Sequence, residues 1–229
     1  MKEFIRGLKD GIPISVGYIT IAIAFGILVK TYNYPSYVGW LMSLTVFAGA
    51  SQFVAIEILK NASIFEIIIT TFFLNLRHIL MSSTIATKAE KNKYIYFLSF
   101  GITDETFSIA YFNNKNKISF NYLFGLILIS YLGWNLGTVI GLLFSSTFNS
   151  NLKNSMSISL YAMFLSILIP NIKKSYYEFL SVIISIIIYI IIRNYLPKYF
   201  SIIIVSIVIS FIFAYFEKNK FNIGDDNNE

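Results

Sequence analysis

Long, uninterrupted apolar segments constrain the fold of this chain more than any other feature. Each approaches the ~20 residues that a helix, rising about 1.5 Å per residue, needs to cross about 30 Å of hydrocarbon. A membrane β-barrel would instead show alternating apolar and polar residues. Eight segments can be delimited: Gly11 to Lys30, Tyr37 to Leu59, Ser63 to Thr87, Lys93 to Phe112, Ser119 to Thr147, Ser155 to Pro170, Tyr176 to Arg193, and Tyr199 to Phe216.

The composition agrees with a membrane location. The chain is 56% hydrophobic and 13% charged, whereas soluble domains are about 25% charged. We therefore predict an all-α, polytopic transmembrane helical bundle with seven or eight spans and room for a broken or re-entrant helix. The sixth segment is short and ends at Pro170, which leaves the count open. Residues 1–217 are predicted to form one transmembrane transport domain, and residues 218–229 a polar, acidic, disordered tail.

The charged and metal-binding residue types exclude several classes of function. The net charge is +6, but the lysines stand in short clusters between apolar segments, as in loops that flank a membrane, so no nucleic-acid partner is expected. With no cysteine and one histidine, we expect neither a metal site nor a cofactor. The absence of a nucleotide-binding fingerprint argues against an ATP-driven pump. The lysine and arginine bias slightly favours a cytoplasmic N-terminus.

Four ionisable residues lie deep within predicted spans: Arg77, His78, Asp104 and Glu105. Arg77 and Asp104 are equally far along the chain from the loop centre between Glu90 and Lys91. If spans three and four are antiparallel neighbours, both residues lie at one depth, roughly 20 Å from that loop. A lone charge there would be costly, so the spacing predicts an ion pair.

The role of this cluster stays open between transport and structure. Asn75 and His78 are three residues apart and share a helix face, so both can reach one ligand. His78 or a carboxyl group of Asp104 or Glu105 is a candidate carrier of a coupling proton. The alternative is an ion pair that only fixes the register of two helices.

Small residues interrupt two other predicted spans. Phe47-Ala-Gly-Ala-Ser-Gln-Phe53 suits either close helix packing or a local unwinding that frees backbone groups for a ligand. Gly49, Ser51 and Gln52 are therefore candidate substrate-binding residues, together with Asn75. In the fifth segment, glycines at four-residue spacing predict a packing stripe, formed by Gly133, Gly137 and Gly141.

These motifs, in this order, resemble the AzlC-type branched-chain amino-acid permeases, also called the azaleucine-resistance family. The resemblance rests on Phe47 to Phe53, on Asn75-Leu-Arg-His78 and on Thr103-Asp-Glu-Thr-Phe107. Trp134 with Gly137 and Gly141, and the stretch from Ala162 to Pro170, are similar to later family signatures. The resemblance extends from about Gly7 to Phe216.

The resemblance implies the large subunit of a two-component exporter in the bacterial inner membrane. It would export branched-chain amino acids under the proton gradient, without ATP, and work with a small AzlD-type membrane subunit. Two rival hypotheses remain. One is a non-transporting membrane scaffold. The other is an intramembrane serine hydrolase with Ser51 as nucleophile and His78 as base, which the different depths of these two residues argue against.

Overall fold

The computed structural model describes residues 1–114, 117–147 and 149, then 176–196, 201 and 204–213, with isolated positions 158, 162, 165, 168, 169, 172 and 173. The chain divides into two compact units, Met1–Leu160 and Tyr161–Glu229. The predicted single domain over residues 1–217 stays a prediction, and the predicted tail and most of the sixth segment lie outside the described residues.

Three helices of the first unit are long and apolar enough to cross a membrane, by length and composition: α1 (Lys2–Thr31), α4 (Ile64–Lys88) and α7 (Phe120–Phe144). The elements between them are short: α2 (Ser36–Thr45), α3 (Gly49–Ile58), α5 (Ile95–Leu98), a 3₁₀ turn (Ser99–Gly101) and α6 (Asp104–Phe112). The described residues are helical, with one isolated bridge between Ala89 and Ile118 and no strand.

Helices α1 and α7 run parallel in close contact. Gly7 lies against the carbonyl of Tyr122 at one end, and Gly141 lies against the carbonyl of Ile23 at the other. A Cβ atom at any of the four positions Gly26, Gly133, Gly137 or Gly141 would come within 2.6 Å of an atom of the facing helix. These glycines therefore let the two backbones touch, as the sequence predicts for the stripe on α7.

This helix pair gives the first unit two ends. We call the end with Lys2 and Phe120 the proximal end, and the end with Thr31 and Phe144 the distal end. Helix α4 begins at the distal end and returns to the proximal end, where the Lys88 carbonyl accepts a hydrogen bond from the N–H of Ile118, two residues before α7. It is therefore antiparallel to α1 and α7.

Helices α2 and α3 form a first hairpin that enters from the distal end and leaves by the same end. Along α2, Gly39 packs on Val29 near the distal end, and Ser43 bonds to Thr138 one turn deeper. The chain is extended at Val46 and then reverses. Along α3, Gly49 packs on Trp134, Phe53 on Phe25, and Lys60 after the helix returns to Tyr34.

Residues 89–114 form a second hairpin, which enters and leaves by the proximal end, where Lys117 and Ile118 lie at its base. Helix α5 and the 3₁₀ turn lead inward to a tip at Ile102 and Thr103, and α6 leads back out. We call these two halves the inward arm and the outward arm. They are joined at the proximal end, where the N–H of Glu90 donates to the carbonyl of Ile118. Gly101 packs on Ile127 and Phe100 on Tyr131, which places the tip near the middle of α7.

Two sequence predictions are wrong here. The segments Tyr37 to Leu59 and Lys93 to Phe112 are predicted as crossings, but both turn back, so the count of seven or eight spans is not confirmed. Helix α6 is not antiparallel to α4. It runs beside α4 in the same direction, since Arg77 lies near Asp104 and Lys88 lies 3.6 Å from the ring centre of Tyr111. In the stretch Phe47 to Phe53, for which the sequence leaves two alternatives open, the helix is interrupted at Phe47–Ala48, between α2 and α3.

The second unit contains two shorter apolar helices among its described residues, α8 (Tyr176–Ile192) and α9 (Ile204–Phe213). They correspond to the seventh and eighth apolar segments of the sequence.

Candidate functional site

An ion pair stands where the tip of the second hairpin meets α4. The Arg77 Nη1 atom lies 2.7 Å from the Asp104 Oδ2 atom, and both side chains are about one third exposed or less. The predicted pair is thus present, although Asp104 approaches from a hairpin tip and not from a crossing helix. Arg77 lies eleven residues along α4 from Lys88, which places the ion pair roughly 16 Å from the proximal end.

The carboxyl group of Glu105 is held differently from that of Asp104. The buried Tyr18 hydroxyl, on α1, donates a hydrogen bond to Glu105 Oε2 and lies 2.6 Å from the hydroxyl oxygen of Thr103. Both of these partners are neutral. Asp104 is paired with the Arg77 guanidinium group. In the described part of the chain, Glu105 has a hydrogen bond from Tyr18 and no cationic partner.

His78 is fixed in one orientation by the same hairpin tip. Its Nδ1 atom lies 2.7 Å from the carbonyl oxygen of Ile102, and because a carbonyl only accepts, Nδ1 carries the hydrogen. The other ring nitrogen, Nε2, is buried and has no hydrogen-bond partner among the described residues. His78 therefore presents a basic nitrogen that can take a proton.

The local sequence explains why the chain breaks at this tip. The Thr103 hydroxyl accepts from the N–H of Thr106, and the Thr106 hydroxyl accepts from the N–H of Thr103. This reciprocal cap starts a new helix at Asp104. Asp104 and Glu105 lie in the first turn of α6, where the helix dipole stabilises acidic side chains. The pattern Thr103-Asp-Glu-Thr106 is thus a helix-start signal within an apolar segment.

The centre holds two carboxyl groups and one guanidinium group. Arg77 pairs with Asp104, so Glu105 has no cationic partner among the described residues and keeps the hydrogen bond from Tyr18. A carboxylate charge midway along a span is costly unless a proton or a cation compensates it. The arrangement can therefore bind a proton or an ammonium group.

The tip of the first hairpin is aromatic and uncharged. Phe47 makes edge contacts with Tyr18 and Tyr131 and packs on Phe100 of the second hairpin, so the two tips meet. Gly49 is required next to this tip, because a Cβ atom there would lie 2.6 Å from the Trp134 ring. The non-helical backbone at Phe47 and Ala48 is accommodated at this depth because both residues are buried in protein.

The candidate residues of α3 are buried within their own hairpin. Ser51 donates to the carbonyl of Ala48, and the Gln52 amide donates to the Ser43 hydroxyl, which itself lies 2.8 Å from the Thr138 hydroxyl. The Gln52 Oε1 atom is buried without a hydrogen-bond partner among the described residues. Asn75 is half-buried on α4. The structure therefore gathers Arg77, His78, Asp104 and Glu105 at one tip and sets Ser51 and Gln52 behind the other.

Tyr18 is the residue that the sequence analysis missed. It touches both tips, through Phe47 on the first hairpin and through Thr103 and Glu105 on the second. A signal was present in the sequence, since Tyr18 is a polar residue seven positions after Gly11 and three after Ser15, on the small-residue face of α1.

The comparisons with known proteins identify the family. A profile of the family described as AzlC protein matches residues 13–148. The chain belongs to the AzlC family. A membrane protein of Archaeoglobus fulgidus named only as uncharacterised is 39% identical over 172 residues, which is 74% of this chain and 76% of that protein. No solved structure matches the chain.

Two named relatives connect the AzlC family with membranes and with transport. The inner membrane protein YgaZ of Escherichia coli is 33% identical over 146 residues, covering 60% of this chain and 59% of its own. The branched-chain amino acid transport protein AzlC of Bacillus subtilis is 32% identical over 139 residues, covering 59% and 55%. The profile match lies within the first unit, which contains both hairpins and the charged centre.

Proposed function

We propose that this protein is the large subunit of a secondary exporter for branched-chain amino acids, driven by the proton gradient. The observation that carries the proposal is the cluster of Arg77, His78, Asp104 and Glu105 where two hairpin tips meet midway along three long helices; within it, Glu105 has no cationic partner among the described residues. Transporters place substrate and coupling ions at this depth, between interrupted helices. A relative's name supplies the substrate class, since it is called a branched-chain amino acid transport protein.

In the proposed mechanism, Glu105 holds either a proton or the ammonium group of the substrate. The two ligands are both positively charged, so they compete for one carboxylate. A proton that arrives from the outside displaces the amino acid outward, and the next substrate displaces the proton inward. Tyr18 keeps Glu105 in place by donating to Oε2, and Arg77 keeps Asp104 from competing for the ammonium group.

The remaining polar groups supply the second half of the substrate contacts. His78 receives the proton on Nε2 when Glu105 releases it, because that nitrogen is buried and its ring is fixed through Nδ1. We propose that the Asn75 amide nitrogen donates to the carboxylate of the amino acid and that Gln52 Oε1, which only accepts, contacts the ammonium group, whereas Ser51 holds the shape of the first hairpin.

We propose that the protein lies in the inner membrane with its N-terminus in the cytoplasm. The distribution of basic residues supports this orientation. In the described part of the first unit, the proximal end carries Lys2, Arg6, Lys9, Lys88, Lys91, Lys93 and Lys117, and the distal end carries Lys30 and Lys60. With residues 37–59 counted as a crossing, as in the sequence analysis, Lys88, Lys91 and Lys93 would lie opposite the N-terminus; because that segment turns back, they lie on the same side as the N-terminus. The positive-inside rule now favours a cytoplasmic proximal end.

The test is reconstitution of the purified protein in liposomes, with and without a small AzlD-type membrane subunit. We expect labelled leucine, isoleucine or valine to leave a compartment when an inward proton gradient is applied, and the flux to stop when an uncoupler collapses the gradient. Glu105→Gln should abolish the dependence on the gradient. Gradient-independent leakage alone, or no flux for any aliphatic amino acid with the partner present, would leave the scaffold hypothesis as the better account.

A further inference from the structure

A cavity of about 230 Å³ lies on the proximal side of the charged centre, between α4, the inward arm of the second hairpin and α7. Its walls include Ser82, Ile85, Ala86, Leu98, Ile102 and Leu123. Most of this surface is apolar, and Ile85, Leu98, Ile102 and Leu123 are buried. None of these residues is among the candidate site residues of the sequence analysis.

The cavity adjoins the charged centre directly. Ile102 belongs to both, since its side chain lines the cavity and its carbonyl accepts the hydrogen bond from His78. Ser82 follows His78 by four residues, so it lies one turn along the same face of α4. A molecule with a polar end at His78 and Glu105 and an apolar end pointing to the proximal side would place that apolar end in this cavity.

Its size and lining fit an aliphatic side chain. An apolar cavity of about 150 Å³ is large enough for a benzene ring, so 230 Å³ holds a branched aliphatic group with room to spare. Burying such a group stabilises a complex in proportion to the apolar area that leaves water.

A second, wider cavity of about 500 Å³ adjoins the first at the proximal end. The two share Ala86, Ile95 and Tyr96, while Glu90, Lys91, Asn92 and Lys93 line only the outer one. The outer cavity therefore offers both signs of charge, which suits the approach of a zwitterion. Together the two cavities connect the proximal end with the charged centre.

We infer that the inner cavity is the pocket for the aliphatic side chain of the substrate, reached through the outer cavity from the proximal end. This inference rests on the proposed function and adds the residues that set substrate size. Leu98 and Ile102 limit its depth, and Ala86 forms the boundary between the two cavities. The competing occupant is a phospholipid, with an acyl chain in the inner cavity and its phosphate at Lys91 and Lys93.

The test compares two tryptophan substitutions at neighbouring positions of α4. Ala86→Trp fills the junction of the two cavities, whereas Thr87→Trp adds the same ring one residue further on, outside their lining. Binding of alanine, valine, leucine, methionine and phenylalanine to detergent-solubilised protein is measured by calorimetry. We expect Ala86→Trp to weaken leucine binding at least tenfold and alanine binding much less, and Thr87→Trp to bind like the wild type.

A third variant enlarges the pocket. Leu98→Ala should shift the preference toward methionine and phenylalanine by about tenfold, because a few methyl groups in an apolar pocket are worth roughly 10- to 200-fold in selectivity. Thermal unfolding and monodispersity of each variant show whether it folds. If Leu98→Ala fails to fold, Ala86→Trp and Thr87→Trp still decide the question.

The outcomes separate this inference from the function on which it rests. Wild-type protein that binds no aliphatic amino acid overturns both. Wild-type binding with identical amino-acid profiles for Ala86→Trp and Thr87→Trp overturns the pocket alone. Native mass spectrometry tests for a bound phospholipid. If a phospholipid copurifies with wild type and Thr87→Trp but not with Ala86→Trp, and the two variants bind the amino acids equally, the cavity is a lipid site and the substrate pocket is overturned.

Discussion

The two hairpins have the same shape and opposite properties. The first enters from the distal end, and its α3 arm is buried along most of its length against α4 and α1, with Ser51, Gln52, Phe53, Ile56 and Ile58 all buried. The second enters from the proximal end and is held by polar contacts at its tip and by a backbone closure at its base. Its arms leave Tyr96, Phe97 and Phe112 more than 70% exposed. Packing and uncharged hydrogen bonds hold the first hairpin, whereas the second adds an ion pair to the packing and hydrogen bonds at its tip.

The difference assigns separate tasks to the two hairpins. A tip secured by apolar packing is expensive to move, because moving it would empty a closely packed region. A tip secured by an ion pair and a few hydrogen bonds can change its contacts as protons bind and leave. We therefore expect chemistry at the second tip and support from the first.

The largest effect is expected from breaking the ion pair at the second tip. Asp104→Asn should lower proton-driven flux at least 100-fold, because it removes the carboxylate that pairs with Arg77 at 2.7 Å in a partly buried site. The matched change at the first tip, Ser51→Ala, should leave flux within about threefold, since Ser51 only bonds to the carbonyl of Ala48. Both are measured in the same liposomes.

The double variant Arg77→Asp with Asp104→Arg is the control for this comparison. Recovery of flux in the double variant would assign the pair to helix register. Equal losses in Asp104→Asn and Ser51→Ala would erase the proposed division between the hairpins.

An intermediate effect is expected in the interface that carries both hairpins. Gly141→Val places side-chain atoms against the carbonyl of Ile23, where a Cβ atom would already lie at 2.3 Å. Overpacking of this kind costs about 1–3 kcal/mol. Gly17→Ala on α1 is the control, because no atom lies within 4 Å of the added Cβ. In detergent, Gly141→Val should unfold at a lower temperature than Gly17→Ala. Equal unfolding temperatures would contradict the close approach of α1 and α7.

The smallest effect is expected from the helix cap of the second hairpin. Thr103→Ala removes the hydroxyl that accepts from the N–H of Thr106, which should cost about 1 kcal/mol of stability. Thr103→Ser retains the hydroxyl and should restore most of the loss. Hydrogen exchange at the amides of α6 reports the change locally, and protection that is the same in Thr103→Ala and wild type would show that the cap does not hold the tip.

Much of the site follows from the sequence, and the path of the chain follows less well. Counting from the loop at Glu90 correctly places Arg77 level with Asp104, because the distance out and the distance back are equal whether or not the chain crosses. The same counting cannot show that Thr103 starts a new helix and turns the chain round. Apolar length alone cannot separate a crossing from a hairpin of two short arms, since both bury the same residue types.

Tyr18 and the cavity escape the sequence analysis for a related reason. Both arise from contacts between elements far apart in the chain, such as Tyr18 with Glu105 and Leu123 with Ile102. The capping pattern at Thr103 and Thr106 is local and therefore visible in the sequence, but the prediction of one continuous crossing there does not use it.

The glycine contact between α1 and α7 also sets the order in which the protein can form. Helix α1 is synthesised first, and its partner α7 follows more than 80 residues later, after both hairpins and α4. Until α7 emerges, Gly7, Gly11 and Gly26 lack the surface they fit, and Gly49 and Gly101 lack Trp134 and Ile127. Assembly of the first unit is therefore nonlocal and late, as expected where loop closure precedes its stabilising contacts. A nascent chain that has passed Glu105 but has not reached the end of α7 at Phe144 holds every polar group of the charged centre without the complete scaffold that positions them.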